Sequence, residues 1–152
     1  MDEKYAMKKL LLILMLATVS SSAIAEWVEI GETDKETTKA YASTFYADPD
    51  TIRITGNRVK MWSLVDYKIT MEEIGVTSSK SQDEYDCKEK KERVLFISFY
   101  SGHMGKGETV VIHNERGDWK PTSPGSANEA ILKFACSFHP ELPQTFPSET
   151  SS

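Results

Sequence analysis

Few side chains in this sequence are placed to do chemistry. The three histidines, His103, His113 and His139, fall in a glycine-rich loop, a strand and the turn after a helix. A metal site needs three or four convergent ligands, and this spacing gathers none. The two cysteines, Cys87 and Cys136, are too few for a zinc finger and too far apart for a Cys-x-x-Cys redox pair. There is no Gly-x-Ser-x-Gly elbow, no phosphate-binding P-loop, no Gly-x-Gly-x-x-Gly after a strand and no His-Glu-x-x-His. Carboxylates are abundant but scattered, so no acid/base pair stands out. The expectation is a protein that is not an enzyme and holds no metal. Two features remain as binding candidates. Arg116-Gly117-Asp118 is the tripeptide that integrins read as an adhesion signal, set in a turn over 114–118 whose composition suits a turn in any case. His103 lies in the loop 101–107.

The compartment can be read from the first 25 residues. Lys8-Lys9, the apolar run 10–17, Ser20–Ser22 and Ala23-Ile24-Ala25 form a basic region, an apolar region and a small-x-small cleavage site. That is a secretory signal peptide, with Ala23 and Ala25 at the cut. The apolar run is too short to cross a bilayer, so no transmembrane span is expected. Cleavage would leave Glu26-Trp27 at the new N-terminus, where a bacterial lipoprotein needs a cysteine. The expectation is therefore no lipid anchor and an exported protein, periplasmic or secreted. In an exported chain an even cysteine pair reads as a disulfide, Cys87–Cys136. Closing a loop of that length stabilises by about 4 kcal/mol in the chain-entropy model.

The 152 residues suffice for one domain, and a net charge of -5 argues against an electrostatic nucleic-acid binder. Strand signals dominate: 27–30, 41–47, 51–54 after the turn Asp48-Pro49-Asp50, and 58–67 after Gly56-Asn57. In 58–67, Val59, Met61, Val65 and Tyr67 share one face while Trp62 and Leu64 take the other, as in a central strand covered on both sides. Residues 78–81 read as loop, and 86–93 as strand running into 94–100. A hairpin loop at 101–107 leads to a return strand at 108–113. Ser126 and Glu129 make a capping box for a helix over 127–137, with a stripe of Ala127, Ile131, Phe134 and Ala135 beside Ala130. The fold class is α+β: a single antiparallel β-sheet, a C-terminal helix packed on one face, and a helix–strand disulfide. The parts are a signal peptide at 1–25, a domain at 26–138 and a flexible tail at 139–152.

Several stretches together resemble the surface-adhesin protein E family of Gram-negative envelope proteins. They are Trp27; Phe45-Tyr46-Ala-Asp48 before Ile52; 59–67 with Trp62 and Tyr67; Ser78-Ser-Lys80 leading to Asp86-Cys87; Tyr100-Ser-Gly102-His-Met-Gly105-Lys-Gly107; and Trp119-Lys-Pro121 with Pro124-Gly-Ser126 up to Cys136. The resemblance covers residues 26–138 and implies the same sheet, helix and Cys87–Cys136 bridge. It implies binding of host extracellular-matrix or serum proteins, with haem as a ligand by resemblance only. The matched motifs suit packing and turns, so no binding residue carries over. The name-giving adhesin is a lipoprotein, and this chain lacks the acylated cysteine. The leading expectation is thus an exported, non-enzymatic binding domain of the envelope with a protein partner. The alternatives are a secreted adhesin for host matrix or serum proteins, and a small periplasmic enzyme or enzyme inhibitor.

Overall fold

The computed structural model describes residues 26–33 and 42–139. The expected signal peptide at 1–25, with its cut at Ala23 and Ala25, and all of the expected tail at 139–152 except His139 lie outside the described residues. Six strands run β1 Val28–Thr33, β2 Ser43–Thr55, β3 Arg58–Met71, β4 Val76–Asp86, β5 Lys91–Tyr100 and β6 Thr109–His113. They pair antiparallel in sequence order, β1-β2-β3-β4-β5-β6. A two-residue β7, Lys120–Pro121, pairs with the start of β5. One helix, α1 Ala127–Ser137, packs on a face of the sheet.

Alternation builds the core. Val59 and Met61 of β3 point to the helix side with Ala47 and Tyr85, where they meet Ile131, Leu132, Ala135 and the two half-cystines. Burying each large apolar side chain contributes about 1.5–3 kcal/mol. Trp62 and Leu64 point to the opposite, outer face, and Leu64 is fully buried there. Sheet and helix are joined by the Cys87–Cys136 disulfide, with Cα atoms 5.7 Å apart. Cys87 is the first residue beyond β4, so the brace clamps the strand's end to the last turn of α1. The cap of α1 follows the capping box. Ser126 Oγ accepts the Glu129 amide at 3.2 Å, and the Glu129 carboxylate accepts the Gly125 amide at 2.9 Å.

The structure departs from the sequence expectations at five places. Asp48-Pro49-Asp50 does not break the chain; it is a bulge inside β2, between the pairs Asp48↔Trp62 and Arg53↔Lys60. Asp48 accepts the Asp50 amide, and Thr51 Oγ1 accepts the Trp62 amide, so side chains stand in for the missing ladder bonds. Ser78–Ser81 is the middle of β4, not a loop. Its serines are short enough to lie between packed layers and can bond there. The strand expected over 86–93 is a turn at 87–90 followed by β5; Asp86 Oδ1 accepts the amides of Lys88 and Glu89 and Lys90 takes a positive φ. Finally, α1 buries Ile131, Leu132, Ala135 and Cys136, leaving Ala130 exposed and Phe134 half-buried. The disulfide draws the Leu132/Cys136 side toward the sheet. His139, the first residue of the expected flexible tail, is buried at 4% exposure, with Nε2 2.6 Å from the Gly56 carbonyl oxygen.

Candidate functional site

On the helix side, Ser63, Ser81 and Asp83 meet under α1. Both hydroxyls donate to Asp83 Oδ2 at 2.7 Å. A cavity of about 120 Å³ opens beside them, lined also by Tyr85, Glu92, Asn128 and Ile131. Burial raises the Asp83 pKa to about 6, and the nearby Glu92 charge adds to the rise. Hydrogen bonds from Ser63, Ser81 and Tyr85 hold it lower than burial alone would. Glu92 is also raised by burial, against the Asn128 amide, which donates to it at 2.5 Å, and the Lys120 charge. Tyr85 is pushed well above its usual range by burial and by Asp83. These groups satisfy one another, forming a buried polar network rather than an arrangement of nucleophile and base.

On the outer face, the loop after β5 folds back over the sheet. Asp66 on β3 accepts the Met104 amide at 2.8 Å and lies 3.1 Å from His103 Nδ1. Ser78 on β4 donates to the Gly102 carbonyl at 2.5 Å and accepts the Gly105 amide at 2.8 Å. Gly105 has φ +66°, and a Cβ there would stand 2.0 Å from Lys80 Cε, so the loop backbone rests on the lysine stem. The Lys80 ammonium lies 5.8 Å from the Trp27 ring centroid and 5.4 Å from that of Tyr100. His103 thus belongs to the clamp that holds the loop.

The edge of the sheet is different. Among the described residues, β6 pairs with β5 on one side and with no strand on the other. Val110, Val111 and Ile112 are 40%, 39% and 57% exposed. The connection Asn114–Asp118 is exposed throughout and is stitched to β5 at its centre, where the Gly117 amide donates to the Val94 carbonyl at 2.8 Å. Arg116 and Asp118 therefore flank a fixed backbone beside the edge strand. The structure does not bring them together with His103, which sits in the loop that precedes β6 and faces Asp66. His113 lies at the end of β6, its ring 6.3 Å from that of Phe99. Among the described residues no three or more His, Cys, Asp or Glu side chains gather as a metal ion needs, and no helix is long and apolar enough to cross a membrane.

Sequence reasoning passed over two surface features. One is the run Val110-Val111-Ile112: three consecutive apolar residues put apolar side chains on both faces of a strand, and their exposure appears only once that strand stands at the sheet edge. The other is a pair of period-two cation spacings, Arg58/Lys60 and Lys91/Arg93, which put like charges on one face of their strands.

The family model of surface-adhesin protein E matches residues 27–137, from just before β1 to the last residue of α1. The chain belongs to the surface-adhesin protein E family. Among solved structures, crystal form II of Haemophilus influenzae protein E is 14% identical, with a TM-score of 0.49, over 61% of this chain and 80% of that one. The selenomethionine form of the same protein gives 14% and 0.49, over 62% and 79%. Protein E from non-typeable Haemophilus influenzae gives 13% and 0.44, over 61% and 69%. No curated protein matches the chain. The antiparallel sheet, C-terminal helix and Cys87–Cys136 bridge expected from the sequence are present in the structure.

Proposed function

We propose that this chain is an exported, non-enzymatic binding protein of the bacterial envelope that takes an extended segment of a protein partner along the free edge of β6. One observation carries the reading. An edge strand offers unpaired main-chain donors and acceptors, and here it also exposes three consecutive apolar side chains. Proteins ordinarily blunt such an edge with charge, proline or a covering loop, because it templates pairing with another chain. No Asp, Glu, Lys, Arg or Pro interrupts Thr109–His113, and among the described residues nothing covers it, since all five residues are exposed. Strand addition uses main-chain bonds for affinity and alternate side-chain contacts for choice of partner. The adjoining Arg116-Gly117-Asp118 connection lengthens the same surface with polar groups. Membership of a surface-adhesin family supports a protein partner, in the envelope or in the host matrix.

The test is binding of the labelled mature protein to immobilised envelope proteins and to immobilised matrix and serum proteins. Val110→Lys with Ile112→Lys keeps the strand but places charge where a partner strand would pack. The expected result is at least about a tenfold loss of whatever binding the wild type shows, with an unchanged far-ultraviolet spectrum. Binding that survives both lysines would remove β6 as the docking edge. Arg116→Ala measured alongside reports whether the neighbouring turn contributes.

A further inference from the structure

The end of the outer face away from the loop carries a concentration of positive charge. Strand register gathers it from distant parts of the sequence. Arg53 lies opposite Lys60, Lys60 opposite Glu84, and Glu84 opposite Arg93, in one row across β2, β3, β4 and β5. In the next row Arg58 lies opposite Asp86, and Asp86 opposite Lys91. The Arg58 and Arg93 guanidiniums both lie over the Trp119 ring, at 5.2 and 4.3 Å from its centroid, which places them on the same face.

The two carboxylates in these rows are already engaged. Glu84 is buried and accepts Arg93 Nε at 2.7 Å, with a second bond from Nη2. Asp86 accepts the amides of Lys88 and Glu89 in the following turn. Among the described residues no carboxylate lies within ion-pair distance of Arg53, Arg58, Lys60 or Lys91. Yet the chain holds 23 acidic residues against 18 basic ones. Like charges directly opposite on a sheet destabilise it, and Arg53 faces Lys60. Arg53 Nη1 donates to the Asp50 and Ile52 carbonyl oxygens and Arg58 stacks on Trp119, which hold these side chains in place without neutralising them, so the patch is complementary to an external anion.

We propose that this end of the outer face binds a linear sulfated polysaccharide through Arg53, Arg58, Lys60 and Lys91. The rows cross three strand-to-strand steps, about 14 Å, and are two residues deep. That footprint accepts one extended polyanionic chain lying across the strands. A nucleic-acid duplex is wider and would press its second strand against a protein of net charge -5. Guanidinium forks bind the oxygens of a sulfate group in pairs, and Trp119 holds the Arg58 fork from behind. The surface is separate from the β6 edge, so failure of either reading leaves the other standing.

The experiment uses a fluorescent heparin oligosaccharide with the mature protein, titrated over a range of salt concentrations. Wild-type protein is expected to bind, with affinity falling steeply as salt rises. Arg53→Glu with Lys60→Glu should weaken binding by about tenfold or more and make the slope of log affinity against log salt shallower by about two. Lys106→Glu with Lys133→Glu makes the same change of net charge elsewhere and should leave binding within about twofold of wild type. Three results overturn the proposal: no heparin binding at low salt, equal losses in the two double variants, or equal affinity for DNA or for vesicles of anionic phospholipid.

Discussion

At the scale of single residues, the carboxyl of Asp83 is held where its charge is least welcome. Its pKa is raised from the ordinary carboxylate value to about 6, first by burial and then by Glu92. The protonated form is thus favoured in the folded state. The stability this group confers is fully present below about pH 4, is lost as pH rises toward 6, and changes little above that. At about 1.4 kcal/mol per pH unit, the loss is at most about 3 kcal/mol. Urea unfolding should show wild-type stability falling across that window. Asp83→Asn keeps an acceptor for Ser63 and Ser81 and cannot ionise. It should be the more stable protein at pH 7.5, by about 1–3 kcal/mol, with a much weaker pH dependence. The remaining slope would come from Glu92, which is raised in the same direction. Equal pH slopes in wild type and variant would show that Asp83 titrates at its ordinary value. Nothing in the sequence marked Asp83, because its partners Ser63 and Ser81 come from a neighbouring strand and from two residues away on its own.

At the scale of elements, two connections hold the outer loop and the helix in place. Gly105 takes a left-handed φ directly over the Lys80 stem. Gly105→Ala should destabilise by about 1–2 kcal/mol, mostly from the backbone, because the end of a lysine side chain can move aside. The Lys80 contacts with Trp27 and Tyr100 should loosen with it, detectable as a change in tryptophan fluorescence. The disulfide spans 49 positions of sequence. Replacing both half-cystines by serine should lower stability by about 4 kcal/mol, as thermal or urea unfolding would report. The capping box, the period-two runs of β3 and the cysteine pair were legible because each is written in neighbouring residues or in a strict count. The continuous β2 was not, because Asp-Pro-Asp is also good turn chemistry and only the pairing with β3 turns it into a bulge. Nor was β4: four consecutive polar residues read as loop, and their burial depends on layers supplied by distant segments. The candidate surfaces were legible only in part. Arg116-Gly117-Asp118 could be read directly, whereas the basic rows exist only once β2, β3 and β5 stand side by side.

At the scale of the whole molecule, β1 to β6 each pair with their neighbours in sequence, and the two-residue β7 reaches back past β6 to the start of β5, so the sheet itself closes few long loops. The long-range closure comes from α1, which returns over the sheet and is bonded to the end of β4. Stability should accordingly be greatest where both faces are covered and both edges paired, and smallest at the margins. β3 and β4 meet those conditions, with α1 on one face and the 101–107 loop on the other. β6 meets neither: five exposed residues in a row, paired on one side. Hydrogen exchange should therefore find the amides of Val59–Leu64 and Ser79–Tyr85 opening only with global unfolding, while those of Thr109–His113 exchange by local fraying, at least about a hundredfold faster. A bound partner strand on β6 would slow that exchange selectively, leaving the central strands unchanged. If β6 were instead protected like β3 in the isolated protein, the edge would already be occupied, by a second copy or by the chain's own residues, and would not be free for a partner.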